Sequence, residues 1–212
     1  MIISSRRAKA ALTATAAVAV LALTACSGGS ADSGDAAPAD GPKFVYITGD
    51  PIGQNEFLKS GKIGIEAAAK AHEGTSETYE SKDDAQRRAN LEAAVAKGPE
   101  VVVMLGFQFA DVATELAEQN PQQKFLLIDT AVDGAPENLY QATFREQEPS
   151  YLLGVEAGLL SQAGKVGSVI SVDNPLLKKY SDGFAEGAKS VKPEIDTVAP
   201  QVIGGDNPFA DT

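Results

Sequence analysis

The sequence predicts an α/β fold in which a parallel sheet is flanked by helices. Three observations carry this. Short apolar, β-branched runs alternate with segments of helical periodicity across residues 43–212, and the links between them are short. Two of the runs, 101–105 and 125–128, are apolar at every position. Strand and helix in alternation with short links describe a layered parallel sheet, and a strand without polar alternation is one covered on both faces.

Residues 43–48 are a strand, ended by Gly49-Asp50-Pro51. Asn55 can cap a helix running to about His72, with Phe57, Gly61, Ile65, Ala68 and Ala69 on one face, and Gly74 stops it. Residues 75–81 alternate weakly and read as a strand. A helix over 84–97 turns Leu91, Ala94 and Val95 inward and stops at Gly98-Pro99. After the strand at 101–105 comes a helix over 110–119, closed by Asn120-Pro121, and then the strand at 125–128. Residues 139–144 are a strand. Pro149 suits the first turn of a helix reaching Ser161 that is apolar on most sides, as if wedged between layers. Its glycines Gly154 and Gly158 allow close backbone approach. A strand at 166–172, a helix at 175–190 and a strand at 197–203 open a second α/β unit.

The chain begins differently. Residues 1–25 hold Arg6, Arg7 and Lys9 and no acid, then an apolar stretch, then Leu23-Thr24-Ala25-Cys26. A positive start, a short apolar stretch and small residues before a cleavage point are the order of a secretory signal, and the stretch is too short for a membrane span. Arg6-Arg7 lacks the hydrophobic residues that follow a twin-arginine signal, so ordinary secretion is expected. Cys26 is the only cysteine, which removes any internal disulfide, and its flanks make it a lipid acceptor. Residues 26–42, rich in Ser, Gly, Ala, Asp and Pro, read as a tether for a body held at the extracytoplasmic face of the cell membrane.

Cleavage would remove three of the 18 basic residues and none of the 29 acidic ones, leaving 15 against 29 and a formal charge of −14. Such a body repels phosphate backbones and anionic lipid, so nucleic-acid binding is excluded and the membrane is reached only through the lipid. His72 is the single histidine, which with a lipid-bearing cysteine leaves no Cys/His centre and no zinc ligand set. Gly49-x-x-x-Gly53 is neither a P-loop nor a dinucleotide fingerprint. No carboxylate pair has a spacing that points to acid/base work. The expectation is a binding protein without catalysis, metal or cofactor.

Ligands of open parallel sheets bind beyond the carboxyl ends of the strands. That rule selects Asp50 with Asn55 and Phe57, then Gly106 and Phe107, then Asp129, then residues 171–174, and finally 204–209 with Phe209. The set is polar, aromatic and nearly free of cations. It suits an uncharged, hydroxyl-bearing ligand with a flat ring: carboxylates accept from hydroxyls and phenyl faces stack. Each also has a plainer reading: Asn55 as a helix cap, Asp129 as a turn residue, Phe57 as core, Phe107 as loop packing.

Six segments carry a resemblance: Ile52-Gly-x-Asn55-x-Phe57, Asn138-Leu-Tyr-x-Ala-x-Phe144-Arg-Glu-x-Glu148, Tyr151-Leu-x-Gly154-Val-x-Ala157-Gly158, Lys165-Val-Gly167, Asp182-Gly-Phe184-x-x-Gly187, and Gly204-Gly-Asp-Asn-Pro-Phe209-Ala-Asp211. With them the chain resembles the basic membrane protein (BMP) family of ABC-transporter substrate-binding lipoproteins, which includes purine nucleoside receptors. The resemblance implies a type I periplasmic-binding-protein-like α/β fold of two lobes around a nucleoside-like ligand, serving ABC permease and ATPase subunits. It assigns Phe57 and Phe209 as stacking rings from the two lobes, and Asp129 as a carboxylate reaching the ligand. Where relatives carry Thr-Asp and two glycines after the first strand, this chain has Thr48-Gly49-Asp50-Pro51.

On this basis residues 1–25 are expected to be the signal, 26–42 the tether, 43–145 the first lobe, and 146–212 a crossover helix with an incomplete second lobe. The chain is expected to be shortened at its C-terminus, with an exposed apolar sheet edge and weak or no binding as the result. The predicted function is solute capture for an ABC importer. Two alternatives stay open: a surface sensor or adhesion lipoprotein without a transporter, and a lipid-anchored enzyme acting on nucleosides or sugars.

Overall fold

The computed structural model describes residues 41–204. Cys26, the signal and most of the tether, and Phe209 fall outside the described residues. Five strands form one parallel sheet: β1 (Lys43–Thr48), β2 (Thr75–Glu80), β3 (Val101–Leu105), β4 (Lys124–Ile128) and β5 (Leu139–Ala142), in the order β2-β1-β3-β4-β5. Every neighbouring pair in that sheet is parallel. The helices that link them are α1 (Glu56–Ala71), α2 (Asp84–Ala96) and α3 (Ala110–Gln119), the last preceded by a 3-10 turn at Phe107–Phe109.

The unbroken apolar run of β3 now has its reason. Val102 and Met104 join Val45, Ile47, Leu91, Ala113, Phe125 and Leu127 in one core, against α2 and α3. Val103 and Leu105 point the other way, into a second core with Tyr46 of β1 and with Leu58 and Ile65 of α1. A strand in the middle of a parallel sheet meets helices on both faces, so neither side-chain row can be polar. On α1 the buried residues are Leu58, Ile65 and Ala69, while Phe57 is 43% exposed. Phe57 is therefore not a core residue. Gly61 lies under the Tyr46 ring, whose hydroxyl donates to the Leu58 carbonyl at 3.1 Å.

After β5 the chain enters α4 (Gln147–Leu160), and later α5 (Pro175–Val191). The two helices meet through glycines. A methyl group added at Gly154 would lie 2.0 Å from the Phe184 carbonyl oxygen, and one at Gly187 would lie 1.9 Å from that of Tyr151. The other side of α4 is open among the described residues: Leu152, Leu153, Leu159 and Leu160 are each at least 60% exposed. This corrects the expectation of a helix wedged between layers. Apolarity on most sides does not say how many sides are covered, and only the glycine side is.

The expected single strands at 166–172 and 197–203 are also corrected. Each is two short pieces, β6 (Lys165–Val166) and β7 (Val169–Ile170), paired in parallel with β8 (Asp196–Thr197) and β9 (Gln201–Val202). The Val198 amide donates to Val166 and the Gln201 amide to Ser168, and between them Pro200 has no N–H to continue the ladder. At the end of β9, Val202 is 47% and Ile203 56% exposed. No helix among the described residues is long and apolar enough to cross a membrane.

Candidate functional site

In the order β2-β1-β3-β4-β5 the chain winds outward in opposite directions from β1 and β3, so a crevice opens beyond their carboxyl ends. A cavity of about 830 Å³ occupies that position. Six of the residues expected from sequence line it: Asp50, Asn55, Phe57, Gly106, Phe107 and Asp129. The opposite wall comes from the second α/β unit, through Ile170 and Ser171 beside β7 and Leu176, Leu177 and Tyr180 of α5.

The loop after β1 is tied down on several sides. The Ile52 amide donates to the Glu80 carboxylate at 2.9 Å, and Arg87 Nε donates to the Gly49 carbonyl at 2.8 Å. Asp50 is held between Arg87, 3.6 Å from its Oδ1, and the side-chain amide of Gln108, which donates to Oδ2 at 3.1 Å. Both oxygens thus already have partners within the protein. Asn55 is the cap of α1, its Oδ1 accepting from the amides of Phe57 at 3.0 Å and Leu58 at 3.2 Å. It lines the cavity, but its acceptor is committed to the helix.

Gly106 explains itself by conformation. Its φ is +115°, and an added Cβ would lie 2.4 Å from Gln108 Oε1. Only glycine fits this turn from β3 into the 3-10 segment. Phe57 and Phe144 meet edge to face with ring centroids 6.2 Å apart and planes at 69°, forming an aromatic corner.

Asp129 is the perturbed carboxylate of the site. It sits at the end of β4 with φ +72° and its amide donates to the Ala142 carbonyl at 2.8 Å. Burial, then the neighbouring negative charge of Glu146, push its carboxyl up to about 6, against a smaller opposite pull from Lys179. Glu146, the residue before α4, is 4% exposed and pairs with Lys179 Nζ at 3.2 Å through one oxygen. Its other oxygen is buried without a hydrogen-bond partner. A smaller chamber of about 340 Å³ adjoins the cavity, sharing Phe57, Asp129 and Tyr180 with it and adding Phe144, Arg145, Glu146 and Pro149.

Sequence reasoning missed Gln108, Arg87, Tyr180 and the Glu146–Lys179 pair. Tyr180 had a findable signal: it lies in the early turns of the helix capped by Asn174, whose loop the strand-end rule had selected. Nothing in the local pattern marks Glu146 as buried, because its surroundings come from α5. Among the described residues no group of His, Cys, Asp and Glu is arranged to hold a metal ion. Lys82 is the one cation among the described residues that line the larger cavity. The arrangement offers aromatic faces, two acids and amides, which suits a polar, ring-bearing solute held without covalent chemistry.

Residues 42–205 match the Bmp family, described as ABC transporter substrate-binding protein PnrA-like. The chain is 30% identical over 172 residues to basic membrane protein A of Borreliella burgdorferi, an alignment covering 80% of this chain and 49% of the relative. It is 28% identical over 155 residues to the ABC transporter nucleoside-binding protein BmpA of Lactococcus lactis, covering 71% of this chain and 44% of that protein. The chain spans about half the length of these curated relatives. Among solved structures, an ABC transporter solute-binding protein from Aeropyrum pernix superimposes with a TM-score of 0.65 at 22% identity, over 77% of this chain and 48% of the other. A sugar-binding protein of a Bacillus halodurans ABC transporter gives 0.59 at 20% identity, over 76% and 56%. These likenesses establish the fold as that of ABC solute-binding proteins, the type I periplasmic-binding-like arrangement of a parallel sheet with flanking helices.

Proposed function

The chain belongs to the Bmp family of PnrA-like ABC-transporter substrate-binding proteins, and from that premise we propose that it captures a nucleoside-like solute for an importer. The observation that carries the reading is the cavity at the β1/β3 switch point, whose walls come from the strand-end loops on one side and from β7 and α5 on the other. In the proposed mode Phe57 stacks on the base. Asp129, at the end of β4, accepts from the sugar hydroxyls, and Tyr180 closes the far wall. Asp50 and Asn55 act mainly through the loop they hold: their acceptors are engaged by Gln108, Arg87 and the α1 amides.

Capture of this kind needs no bond making. A solute touching both walls favours the arrangement in which they approach, and the population shifts by the difference in its affinity for open and closed forms. On the proposed division, residues 43–145 form one lobe and residues 146–212 begin the other, with Phe209 as a second stacking ring. Permease and ATPase subunits are the proposed partners, and lipid on Cys26 the proposed anchor at the extracytoplasmic face. The relative from Lactococcus lactis is named for nucleoside binding, which supports the choice of ligand class. Isothermal titration of the purified chain with a panel of purine and pyrimidine nucleosides and free sugars tests it. Weak one-site binding of a nucleoside is expected; binding confined to free sugars would overturn the ligand class.

A further inference from the structure

The smaller chamber is not explained by holding a neutral nucleoside. Its polar lining is unbalanced. Glu146 has a side chain only 3% exposed, one oxygen on Lys179 at 3.2 Å and the other facing no donor. Glu146 immediately precedes the first turn of α4, and Lys179 is the cation it pairs with. Asp129 adds a second carboxylate to the same wall. Arg145 also lines the chamber, but its side chain is 80% exposed and its guanidinium is engaged by Glu148 at 2.8 Å. Tyr180 contributes a phenol whose ionisation is pushed up, by burial first and then by the two acids. Two carboxylates therefore face one internal ammonium. One negative charge and one buried acceptor are left over.

We infer that the chamber is a subsite for a protonated amine of the bound solute, with Glu146 and Asp129 as its two acceptors. A hydroxyl could satisfy the free oxygen of Glu146, but it would leave the extra charge in place. An ammonium brings three donors, enough to reach both carboxylates, and the missing charge with them. Burial first, and then the neighbouring charge of Glu146, raise the Asp129 carboxyl, and a cation held between the two acids would oppose both effects. Other charged groups do not supply that cation. Lys82 lines the larger cavity and not this chamber, and Lys178 is paired with Asp173 at 2.7 Å. This assignment rests on the reading of the cavity as a solute site, and it adds a preference, among ring-bearing hydroxylated solutes, for those that also carry a basic nitrogen.

The test is a titration of the purified chain with ethanolamine and, separately, with ethylene glycol, following the side-chain carboxyl carbons of Glu146 and Asp129 by NMR. These probes differ in one group, the amine. Saturable shifts at both carboxyls with ethanolamine and none with the glycol at equal concentration are expected. E146Q, nearly the same shape, should weaken the amine about ten-fold or more. Amine affinity of the wild-type chain should also fall about ten-fold on going from pH 7 to pH 5, as Asp129 takes up its proton. Equal responses to the two probes, an amine affinity unchanged in E146Q, or one indifferent to pH would each overturn the assignment. Should E146Q not fold, the pH series and the probe pair decide alone. A positive amine titration beside a failed nucleoside panel would keep the subsite and remove the nucleoside, so the two readings fail separately.

Discussion

Replacing Gly187 by alanine adds one methyl group at the crossing of α4 and α5, and its consequence can be worked from the geometry. The new Cβ would stand 1.9 Å from the Tyr151 carbonyl oxygen and 2.8 Å from the carbon. Both obstacles are main chain of a neighbouring helix, so no rotamer change relieves them. Nor can α5 simply retreat, because the contact is mutual: Gly154 lies against the Phe184 carbonyl and Gly158 against Ala188. Overpacking a fitted contact costs about 1–3 kcal/mol and occasionally more, and with backbone on both sides we expect about 3 kcal/mol. For a domain of this size that is roughly 6–12 °C in Tm. The internal control is Gly64, exposed in the middle of α1 with nothing within 4 Å of an added Cβ. There alanine should stabilise by about 0.5–1 kcal/mol, through the lower helix cost alone. Urea unfolding of G187A and G64A, read by far-UV circular dichroism, should move the midpoint in opposite directions. A G187A midpoint within error of wild type would refute the close-packed crossing. So would equal losses in both variants, which would mean that any helical glycine is needed. The crossing matters beyond stability, since Glu146 lies at the start of α4 while Lys179 and Tyr180 lie on α5.

Two further outcomes follow from the site. The Asp129 carboxyl is raised from an ordinary 3.8 to about 6, so the folded state holds more proton than the unfolded one between those values, and this group's contribution falls as pH rises through that window. D129N removes the penalty: it should be more stable than wild type at pH 7, by about 1 kcal/mol once screening at this half-exposed position is allowed for, and equal to it at pH 4. Asparagine also tolerates the φ of +72°, and urea midpoints at the two pH values measure the difference. N55A should cost about 1 kcal/mol, measured the same way, by freeing the α1 amides of Phe57 and Leu58; no loss would mean that the cap contributes nothing.

Much of this fold is legible in particular residues. The β3 run Val102-Val103-Met104-Leu105 has no polar position because consecutive side chains enter different cores, and that alone places β3 inside the sheet. Asn55, Asp83 and Asn174 each cap the helix that follows them, so helix starts are visible locally. The strand-end rule then brings Asp50, Phe57, Gly106 and Asp129 to one cavity without any knowledge of the topology. What escapes depends on partners distant in sequence. Val166 to Val172 looks like one strand until Pro200, opposite it, interrupts the ladder. The leucines of α4 look like a buried face, yet apolarity cannot reveal whether a neighbour is present. Gln108 and Glu146 gain their roles from Asp50 and Lys179, which lie 58 and 33 residues away along the chain.

The central claim is that this cavity holds a ring-bearing solute against Phe57, and equilibrium dialysis of tritiated adenosine, guanosine and uridine against the wild-type chain and F57A tests it in one experiment. Phe57 is 43% exposed and outside both cores, so its removal leaves the fold intact. The account predicts saturable binding of at least one nucleoside to wild type and a loss of about ten-fold or more in F57A, the worth of one aromatic stack. Nucleoside binding of equal strength in both proteins would contradict it, as would a chain that binds none of the three.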